Sequence, residues 1–477
     1  MGTQNSPKEK GKGQAGPRGC DILIRNAHIL TLDANRTIYP SGAVAISGNS
    51  IVAVGPEREI VPMFRPRRVL DAGGAPVHPG FVDAHCHATL HLSRGAMTDN
   101  PRPKKSIGFF DWFNALDDED EYTSALAFCV EMVHNGYTGF MDAGTVFEPD
   151  VVAAAAEAVG VRASLGDPFL WDLPEGESGY AGTVKRAPCN LKRARDLLGT
   201  QLWRNGDPDS LIRAHVAVYG EGSASEELIV AAKECADEND VVFNMHVNFT
   251  PELAEMDDLR FGGRHTLVHF ADIGVLDRNC TFAHMNVVRD DEVQPVVDSG
   301  MSLVWQPGNY LFYGISAKVP SRMAELIGKG VNVAFGVDVA KIWTFGDMEF
   351  VGYLVARHGG DYISPEKLLE MQTIGGARAL GLESVIGSLE PGKRADLVIR
   401  TNNLPELQPG VNVVQEMMQL SRSRSVAVAI VNGEIVLKDG HLTRVDEGVV
   451  YDRARTTTRR IMDRLGFSPE ISWPIVA

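Results

Sequence analysis

The chain has 477 residues, of which 44 % are hydrophobic and 23 % charged, as in an ordinary globular protein. Its formal net charge of -16 argues against nucleic acid and anionic membrane surfaces as partners, because both bind basic faces. Its six cysteines are scattered without a Cys-x-x-Cys pair, and no run of about 18 apolar residues occurs, so we expect reduced thiols, no membrane span and a cytoplasmic location.

The two ends of the chain differ from its middle. Residues 1–19 are rich in Gly, Lys and Pro without an apolar run, which predicts a disordered tail rather than a signal peptide. Short strand-like pieces separated by turn residues fill 20–78 and return over 385–445, where the Asn-Gly pair at 432–433 is typical of a hairpin turn. We therefore expect both ends to build one small β-sandwich domain, followed by a C-terminal helix and tail over 446–477.

In residues 79–384, short apolar strands alternate with longer helix-like pieces. Such alternation over about 300 residues predicts an α/β fold, a (β/α)₈ TIM-like barrel that forms a domain of its own. The strands are expected at 81–87, 138–142, 162–165, 211–218, 241–247, 281–284, 302–305 and 331–337.

The end of the first barrel strand carries two histidines, His85 and His87, one residue apart. Alternate side chains of a strand point to the same side, so the two imidazoles would converge while Cys86 faces away. Two imidazoles placed in this way can share a divalent ion. Taken alone, however, such a pair is more often accidental than a metal site.

Other strand ends supply the groups that a metal site still needs. The fifth strand ends at His246, the sixth at His284 and the eighth at Asp338. In a barrel of this kind the chemistry lies at the C-terminal ends of the strands, where these side chains would meet the first pair. The sequence therefore predicts a metal site built from imidazoles and one carboxylate.

Further motifs accompany these strand ends: Pro79-Gly-Phe-Val-Asp-Ala-His-Cys-His87, Ser93-Arg94-Gly95, Phe110-Asp111-Trp112, and the run at 386–398, Ile-Gly-Ser-Leu-Glu-Pro-Gly-Lys-Arg-Ala-Asp-Leu-Val. Together they resemble the amidohydrolase superfamily over most of the chain, and within it the triazine-hydrolase and chlorohydrolase branch. The resemblance implies a hydrolytic metal enzyme. By position it assigns the metal ligands His85, His87, His246 and Asp338, and makes His284 the sixth-strand histidine.

The resemblance also bears on the number of ions. Two-metal members bridge their ions with a carboxylated Lys or a Glu on a middle strand, and the fourth strand here, 211–218, contains no Lys. We therefore expect one divalent ion per subunit, with Zn²⁺ as the first choice and Co²⁺, Fe²⁺ or Mn²⁺ as alternatives.

One position departs from the pattern of the branch. Its deaminases carry a Glu three residues after the fifth-strand histidine, and this chain has Phe249 there. The missing carboxylate argues against deamination of a heterocycle. It favours a substrate with an acyclic carbonyl, and the chain resembles in branch and length the phenylurea and thiocarbamate (molinate-type) hydrolases.

We therefore expect a metal-dependent amidohydrolase of the EC 3.5 type, which cleaves a C–N or C–S bond of an amide-, urea- or (thio)carbamate-like small molecule with a metal-activated hydroxide. Its catalytic residues would be Asp338, which moves the proton, and His284, which supports the oxyanion. The alternative is a deaminase or dechlorinase of a nitrogen heterocycle such as a triazine or purine. A non-catalytic scaffold relative is disfavoured because the ligand positions are intact.

Four polar residues near strand ends are expected to bind substrate. They are His215, Asn248, Gln306 and Asn309, for which a core histidine and ordinary turn chemistry are the competing interpretations. Aromatic residues near strand ends would either wall an apolar pocket or pack in the core: Phe109, Phe110, Trp112, Trp305, Phe312 and Trp343. The expected partner is a small-molecule substrate, the expected role xenobiotic degradation, and the expected assembly a homo-oligomer.

Overall fold

The computed structural model describes residues 16–97, 106–174, 184–339, 341–421 and 423–469, together with Ile471 and Trp473. The tail predicted over 1–19 lies outside the described residues up to position 15, and the first strand already begins at Arg18. Most of the predicted C-terminal tail beyond 469 also lies outside them.

The strands of the described chain fall into one mixed sheet and two parallel sheets. They are β1 Arg18–Leu30, β2 Ile38–Ser47, β3 Ser50–Pro56, β4 Phe64–Asp71, β5 Pro76–Pro79, β6 Phe81–Cys86, β7 Tyr137–Asp142, β8 Arg162–Leu165, β9 Ile212–Ala214, β10 Val216–Gly220, β11 Phe243–Val247, β12 Cys280–His284, β13 Ser302–Trp305, β14 Asn332–Phe335, β15 Leu397–Arg400, β16 Val426–Val431, β17 Glu434–Lys438 and β18 His441–Leu442.

Most helices alternate with the strands of the two parallel sheets, and one long helix follows the last strand. They are α1 Glu57–Ile60, α2 Phe109–Ala115, α3 Asp118–His134, α4 Pro149–Val159, α5 Leu191–Leu197, α6 Glu226–Glu238, α7 Pro251–Arg260, α8 Thr266–Asp272, α9 Asp290–Ser299, α10 Pro307–Phe312, α11 Met323–Gly328, α12 Met348–His358, α13 Pro365–Gln372, α14 Ile374–Ala379, α15 Val413–Glu416 and α16 Glu447–Leu465. None of those formed by the described residues is long and apolar enough to cross a membrane.

The two parallel sheets form the barrel. One has the order β6-β7-β8-β9 and the other β10-β11-β12-β13-β14. The single fourth strand predicted at 211–218 is interrupted at His215, which separates β9 from β10. The barrel closes where Cys86 of β6 bridges to Asp338 after β14, and the Asp338 amide donates to the His85 carbonyl at 2.9 Å. The predicted eight-strand α/β barrel is thereby confirmed.

Helix α6 shows how the sequence builds the outer layer. The Ser225 hydroxyl caps it by accepting from the Leu228 amide at 3.2 Å. Leu228, Ala232 and Ala236 lie one turn apart and are buried against the barrel, whereas the first turn carries exposed acids. Burial of one leucine of this kind contributes about 1.5–3 kcal/mol. Repeated around the barrel, this apolar stripe fixes the helices to the outer faces of the strands.

The remaining strands, from both chain ends, form a single sheet with the order β18-β17-β16-β15-β5-β1-β2-β3, in which β4 also pairs with β1. Strand β5 joins the two halves, because it runs parallel to β1 and antiparallel to β15. Apolar side chains cover both faces of this sheet. The β-rich unit made from both ends is as predicted, and the boundaries 20–78, 79–384, 385–445 and 446–477 stay a prediction.

Two sets of ion pairs attach the outer parts to the barrel. Arg162 of β8 reaches Asp396, just before β15, in a bidentate pair in which both side chains are buried. The C-terminal helix α16 places Arg460 and Arg464 against Asp117 and Asp120 at the start of α3. Helix α16 therefore packs on its own chain.

A glycine at the barrel seam provides a test of its tightness. In Gly336→Ala the added Cβ would lie 2.7 Å from the His85 carbonyl oxygen and 2.8 Å from the His85 Cβ. We expect this overpacking to lower the free energy of unfolding by about 1–3 kcal/mol in urea titrations. Gly328→Ala is the matched control, since nothing lies within 4 Å of its added Cβ. Equal losses for the two variants would contradict the expectation.

A buried acid in α12 provides a pH test. Glu349 accepts from Gln372 Nε2 at 2.8 Å, and burial raises the pKa of its carboxyl group to about 7 from 4.5. The folded chain thus holds this proton more tightly than the unfolded chain, so the stabilisation is complete below about pH 4.5 and is lost as the pH rises to about 7. Its size is about 3 kcal/mol. Relative to wild type, Glu349→Gln should gain about this much stability between pH 4.5 and pH 8, measured by urea unfolding. If the free energies of unfolding of wild type and Glu349→Gln change in parallel over this pH range, the expectation is wrong.

Candidate metal centre

The first two imidazoles are aligned by strand β6. Asp83, His85 and His87 share one side of the strand, and His85 is fully buried. The Asp83 carboxylate accepts the amides of His85, at 3.0 Å, and of Val337, at 3.2 Å, so it braces the first strand against the eighth. Cys86 points the other way, into the hydrophobic core, as the alternation predicts.

Hydrogen bonds orient two of the rings. The Thr145 hydroxyl lies 2.7 Å from His87 Nδ1, and the Tyr219 carbonyl oxygen lies 2.7 Å from His246 Nδ1. In both rings this leaves Nε2 directed into the site, and the two Nε2 atoms are 3.4 Å apart. Partners of this kind fix the ring tautomer and the direction of a metal ligand.

His284 and Asp338 lie at the ends of the sixth and eighth strands, both with left-handed backbone, at φ 72° and 58°. Such a conformation is uncommon outside glycine and is held here by specific contacts. Gln306 Oε1 accepts the His284 amide at 3.1 Å, and Asn309 donates its side-chain amide to the Asp338 carboxylate. These contacts turn the two side chains toward the first-strand histidines.

The donor atoms of the five residues converge on one volume. Asp338 carboxylate oxygens lie 3.6 Å from His87 Nε2, 3.7 Å from His284 Nε2 and 3.9 Å from His85 Nε2. The four imidazole rings pack with centroid distances of 4.8 to 5.5 Å. Two overlapping donor groups result, His85-His87-His246 and His85-His284-Asp338, each with its atoms within 4.8 Å of one another.

This donor set fits a divalent ion. Ligands about 2.0–2.2 Å from Zn²⁺ are separated by about 3.4 Å at the tetrahedral angle, close to the spacings found here. Within the described part of the chain, neither ring nitrogen of buried His85 has a hydrogen-bond partner. A buried polar group without a partner is costly, and an ion would satisfy it. The residues are those that the sequence analysis assigns to the metal, together with His284.

The electrostatics of the site favour neutral imidazoles. Burial, followed by the neighbouring imidazoles, holds the pKa of His85 well below its usual range, and burial lowers the pKa of His246 to about 4. Neutral histidine is the form that binds metal. Burial raises the pKa of Asp338 to about 6, because removal from water disfavours the charged form of the carboxyl group.

The predicted substrate-binding residues occupy different surroundings. Gln306 and Asn309 contact His284 and Asp338 as described, so they position these two residues. His215, in the gap between β9 and β10, has Nδ1 2.9 Å from the Ser164 hydroxyl and lies close enough to lower the pKa of His85. The Asn248 amide donates to the Val287 carbonyl at 2.9 Å, which engages it in the loop after β11. A role for all four in substrate binding stays a proposal.

Phe249 occupies the position where the resemblance implies a Glu. Its ring lies against His284, with centroids 4.2 Å apart. An acidic residue in contact with Phe249 is Glu221, which follows β10. Each of its two carboxylate oxygens lies 2.8 Å from the Phe249 amide nitrogen. Glu221 therefore holds the loop after β11 in place. Sequence analysis missed it because nothing in its local pattern signals a contact 28 residues away.

Lys341 is a second residue that sequence analysis missed. It lies three residues after Asp338, is buried, and places its ammonium among Phe109, Phe312 and Trp343, three of the aromatic residues predicted to wall a pocket. A lysine three residues after the strand end that carries Asp338, followed by Trp343 and Phe345, was the available signal. Trp112 and Trp305, by contrast, are fully buried core residues.

Comparison with known proteins supports this description. A 5-methylthioadenosine/S-adenosylhomocysteine deaminase of Syntrophobacter fumaroxidans is 30% identical over 464 residues, which cover 94% of this chain and 99% of the relative. A 5'-deoxyadenosine deaminase of Methanosarcina acetivorans is 27% identical over 93% of this chain and 99% of its own length. These names do not support the narrower resemblance to molinate-type hydrolases.

Solved structures share the fold. An adenosine deaminase from Xanthomonas campestris with bound zinc has a TM-score of 0.80 at 24% identity and covers 94% of this chain and 100% of its own. An atrazine chlorohydrolase from Arthrobacter aurescens in complex with zinc has a TM-score of 0.79 at 21% identity, covering 92% and 100%. The model of the Amidohydrolase family matches residues 77–436. The chain therefore belongs to the amidohydrolase family and is a hydrolase.

Proposed function

We propose that this protein is a metal-dependent deaminase that hydrolytically removes an amino group from an aminopurine nucleoside or a closely related small molecule. The observation that carries the proposal is the convergence of His85, His87, His246, His284 and Asp338 on one volume. The relatives named above, which match nearly the full chain, support the choice of substrate class. We therefore place deamination of a nitrogen heterocycle, the alternative expected from the sequence, before hydrolysis of an amide-like bond.

The proposed cofactor is one divalent ion per subunit, with Zn²⁺ first, because the structural neighbours contain zinc and the donors are imidazoles and a carboxylate. It would be held by His85, His87, His246 and Asp338, with His284 beside it. Such an ion lowers the pKa of a water molecule and polarises the group under attack.

The side chains of the site supply the remaining chemistry. The Asp338 carboxylate, oriented by Asn309, accepts the proton of the attacking water and passes it to the departing nitrogen. His284 is neutral, since burial holds its pKa well below the usual range, and it hydrogen-bonds the substrate atom on which negative charge develops. The new C–O bond replaces the C–N bond, and ammonia leaves.

A second function is favoured by one observation. The apolar ring of Phe249 lies on His284 and offers no proton to a ring nitrogen. Hydrolysis of an amide-, urea- or (thio)carbamate-like bond needs no such proton, and the same Asp338 would serve its leaving group. The cytoplasmic location and the homo-oligomer stay predictions. A role in xenobiotic degradation receives no support from the names of the curated relatives given above.

Removal of a metal donor tests the centre. His246→Ala and Asp338→Ala should each lower the zinc content of the purified protein and abolish turnover, because each removes a donor that no neighbour replaces. Zinc is measured by plasma mass spectrometry after reconstitution. His265→Ala is the control, since this partly exposed histidine pairs with Asp291 at the surface. Full activity of Asp338→Ala, or a wild type that binds no transition metal, would overturn the mechanism.

The substrate class is tested with a matched panel. We expect the zinc-loaded protein to release ammonia from 5'-methylthioadenosine or adenosine, followed by a coupled ammonia assay and by the ultraviolet change of the purine. N,N-dimethyl-N'-phenylurea and a thiocarbamate test the second function by release of amine. Turnover of the urea or thiocarbamate without any ammonia release from the nucleosides would refute the deaminase and establish the second function.

A further inference from the structure

Lys341 is a buried cation within an aromatic cage. Only 7% of the residue is exposed, and its Nζ lies 4.9 to 5.5 Å from the centroids of four rings. These rings, which we call the aromatic cage, belong to Phe109, Phe312, Tyr313 and Trp343. Trp343 is buried, whereas Phe109, Phe312 and Tyr313 are partly exposed.

The charge of Lys341 is incompletely compensated. Its Nζ makes one long contact, 3.5 Å, to the Val339 carbonyl oxygen, and within the described residues it forms no ion pair. Cation–π contacts offset only part of the cost of burying an ammonium group. Burial accordingly lowers the pKa of Lys341 to about 8. Among the described residues no carboxylate lies within ion-pair distance of the ammonium, and the acid whose charge acts on it is Asp338.

The aromatic cage adjoins the metal centre. Lys341 follows Asp338 by three residues, and its Nζ contacts the carbonyl oxygen of Val339, the residue next to Asp338. Tyr313 packs edge-on against Phe249 at 5.2 Å, and Phe249 lies on His284. A small molecule at the metal centre would therefore reach the cage across the ring of Phe249.

We infer that Lys341 is a substrate-binding residue that takes a carboxylate of the substrate, while the aromatic cage holds the adjoining planar part. The inference rests on the proposed function, since it places the substrate at the metal centre. The ammonium supplies charge-assisted hydrogen bonds to the carboxylate, and the rings supply stacking surface. Lys341 would thus favour anionic over neutral substrates of the same shape, without excluding neutral aminopurine nucleosides.

The test uses benzoate and benzamide, which have the same shape and differ in charge. In isothermal titration of the zinc-loaded wild-type chain, the dissociation constant of benzoate should be at least about tenfold lower than that of benzamide. The reason is that benzamide cannot form the charge-assisted hydrogen bond with the ammonium. Lys341→Met should remove this preference to within about twofold without loss of zinc. Lys367→Met on α13, whose lysine pairs with Glu370, is the control and should behave as wild type.

The outcomes separate the two proposals. If Lys341→Met keeps the preference for benzoate, the ion rather than the lysine holds the carboxylate and the inference is refuted. The inference is also refuted if wild type binds benzoate and benzamide equally well. Should Lys341→Met fail to fold in circular dichroism, Lys341→Gln repeats the measurement with the same expectation. A wild type without zinc or turnover would instead refute the proposed function.

Discussion

The seam between the first and the eighth barrel strands holds the site together. The Asp338 amide bonds to the His85 carbonyl, and the Asp83 carboxylate accepts the Val337 amide, so the two strand ends are joined from both sides. Gly336 permits this approach because a Cβ would overlap His85. Since His85, His87 and Asp338 all project from this seam, a widening of even one ångström would separate their donor atoms.

The same seam also determines the electrostatics of the site. Four imidazoles and one carboxylate are buried together, where burial keeps the histidines neutral and raises the pKa of Asp338 to about 6. Buried polar atoms that lack partners weaken a fold, and both ring nitrogens of His85 are in this position among the described residues. A divalent cation at the common volume would satisfy the donors and lower the pKa of the carboxyl group. The barrel thus assembles a buried donor set that suits a divalent cation.

The wall beside this centre combines an apolar ring with a cation. Phe249 covers His284, and Glu221 fixes the Phe249 backbone instead of presenting its acid to a substrate. Lys341 lies nearby, surrounded by the faces of four rings. An apolar surface beside one buried ammonium suits a planar molecule that carries its own negative charge. This combination distinguishes the pocket from one built only of neutral hydrogen-bonding groups.

The sequence alone determined the features that depend on local periodicity. Alternation of strands and helices predicted the barrel, and the placement of His85, His87, His246, His284 and Asp338 at strand ends predicted the centre, because all strands of a parallel barrel end on one face. The matching texture of the two chain ends predicted that they build one β-rich unit together.

Only the tertiary structure decided which residues support that centre. The break at His215, the contact of Glu221 with Phe249 and the enclosure of Lys341 join segments far apart in the chain. Side-chain burial and the field of neighbouring charges arise only when those segments pack, so no local pattern records them. The chain's own order therefore determined where the metal donors lie, and packing decided what surrounds them.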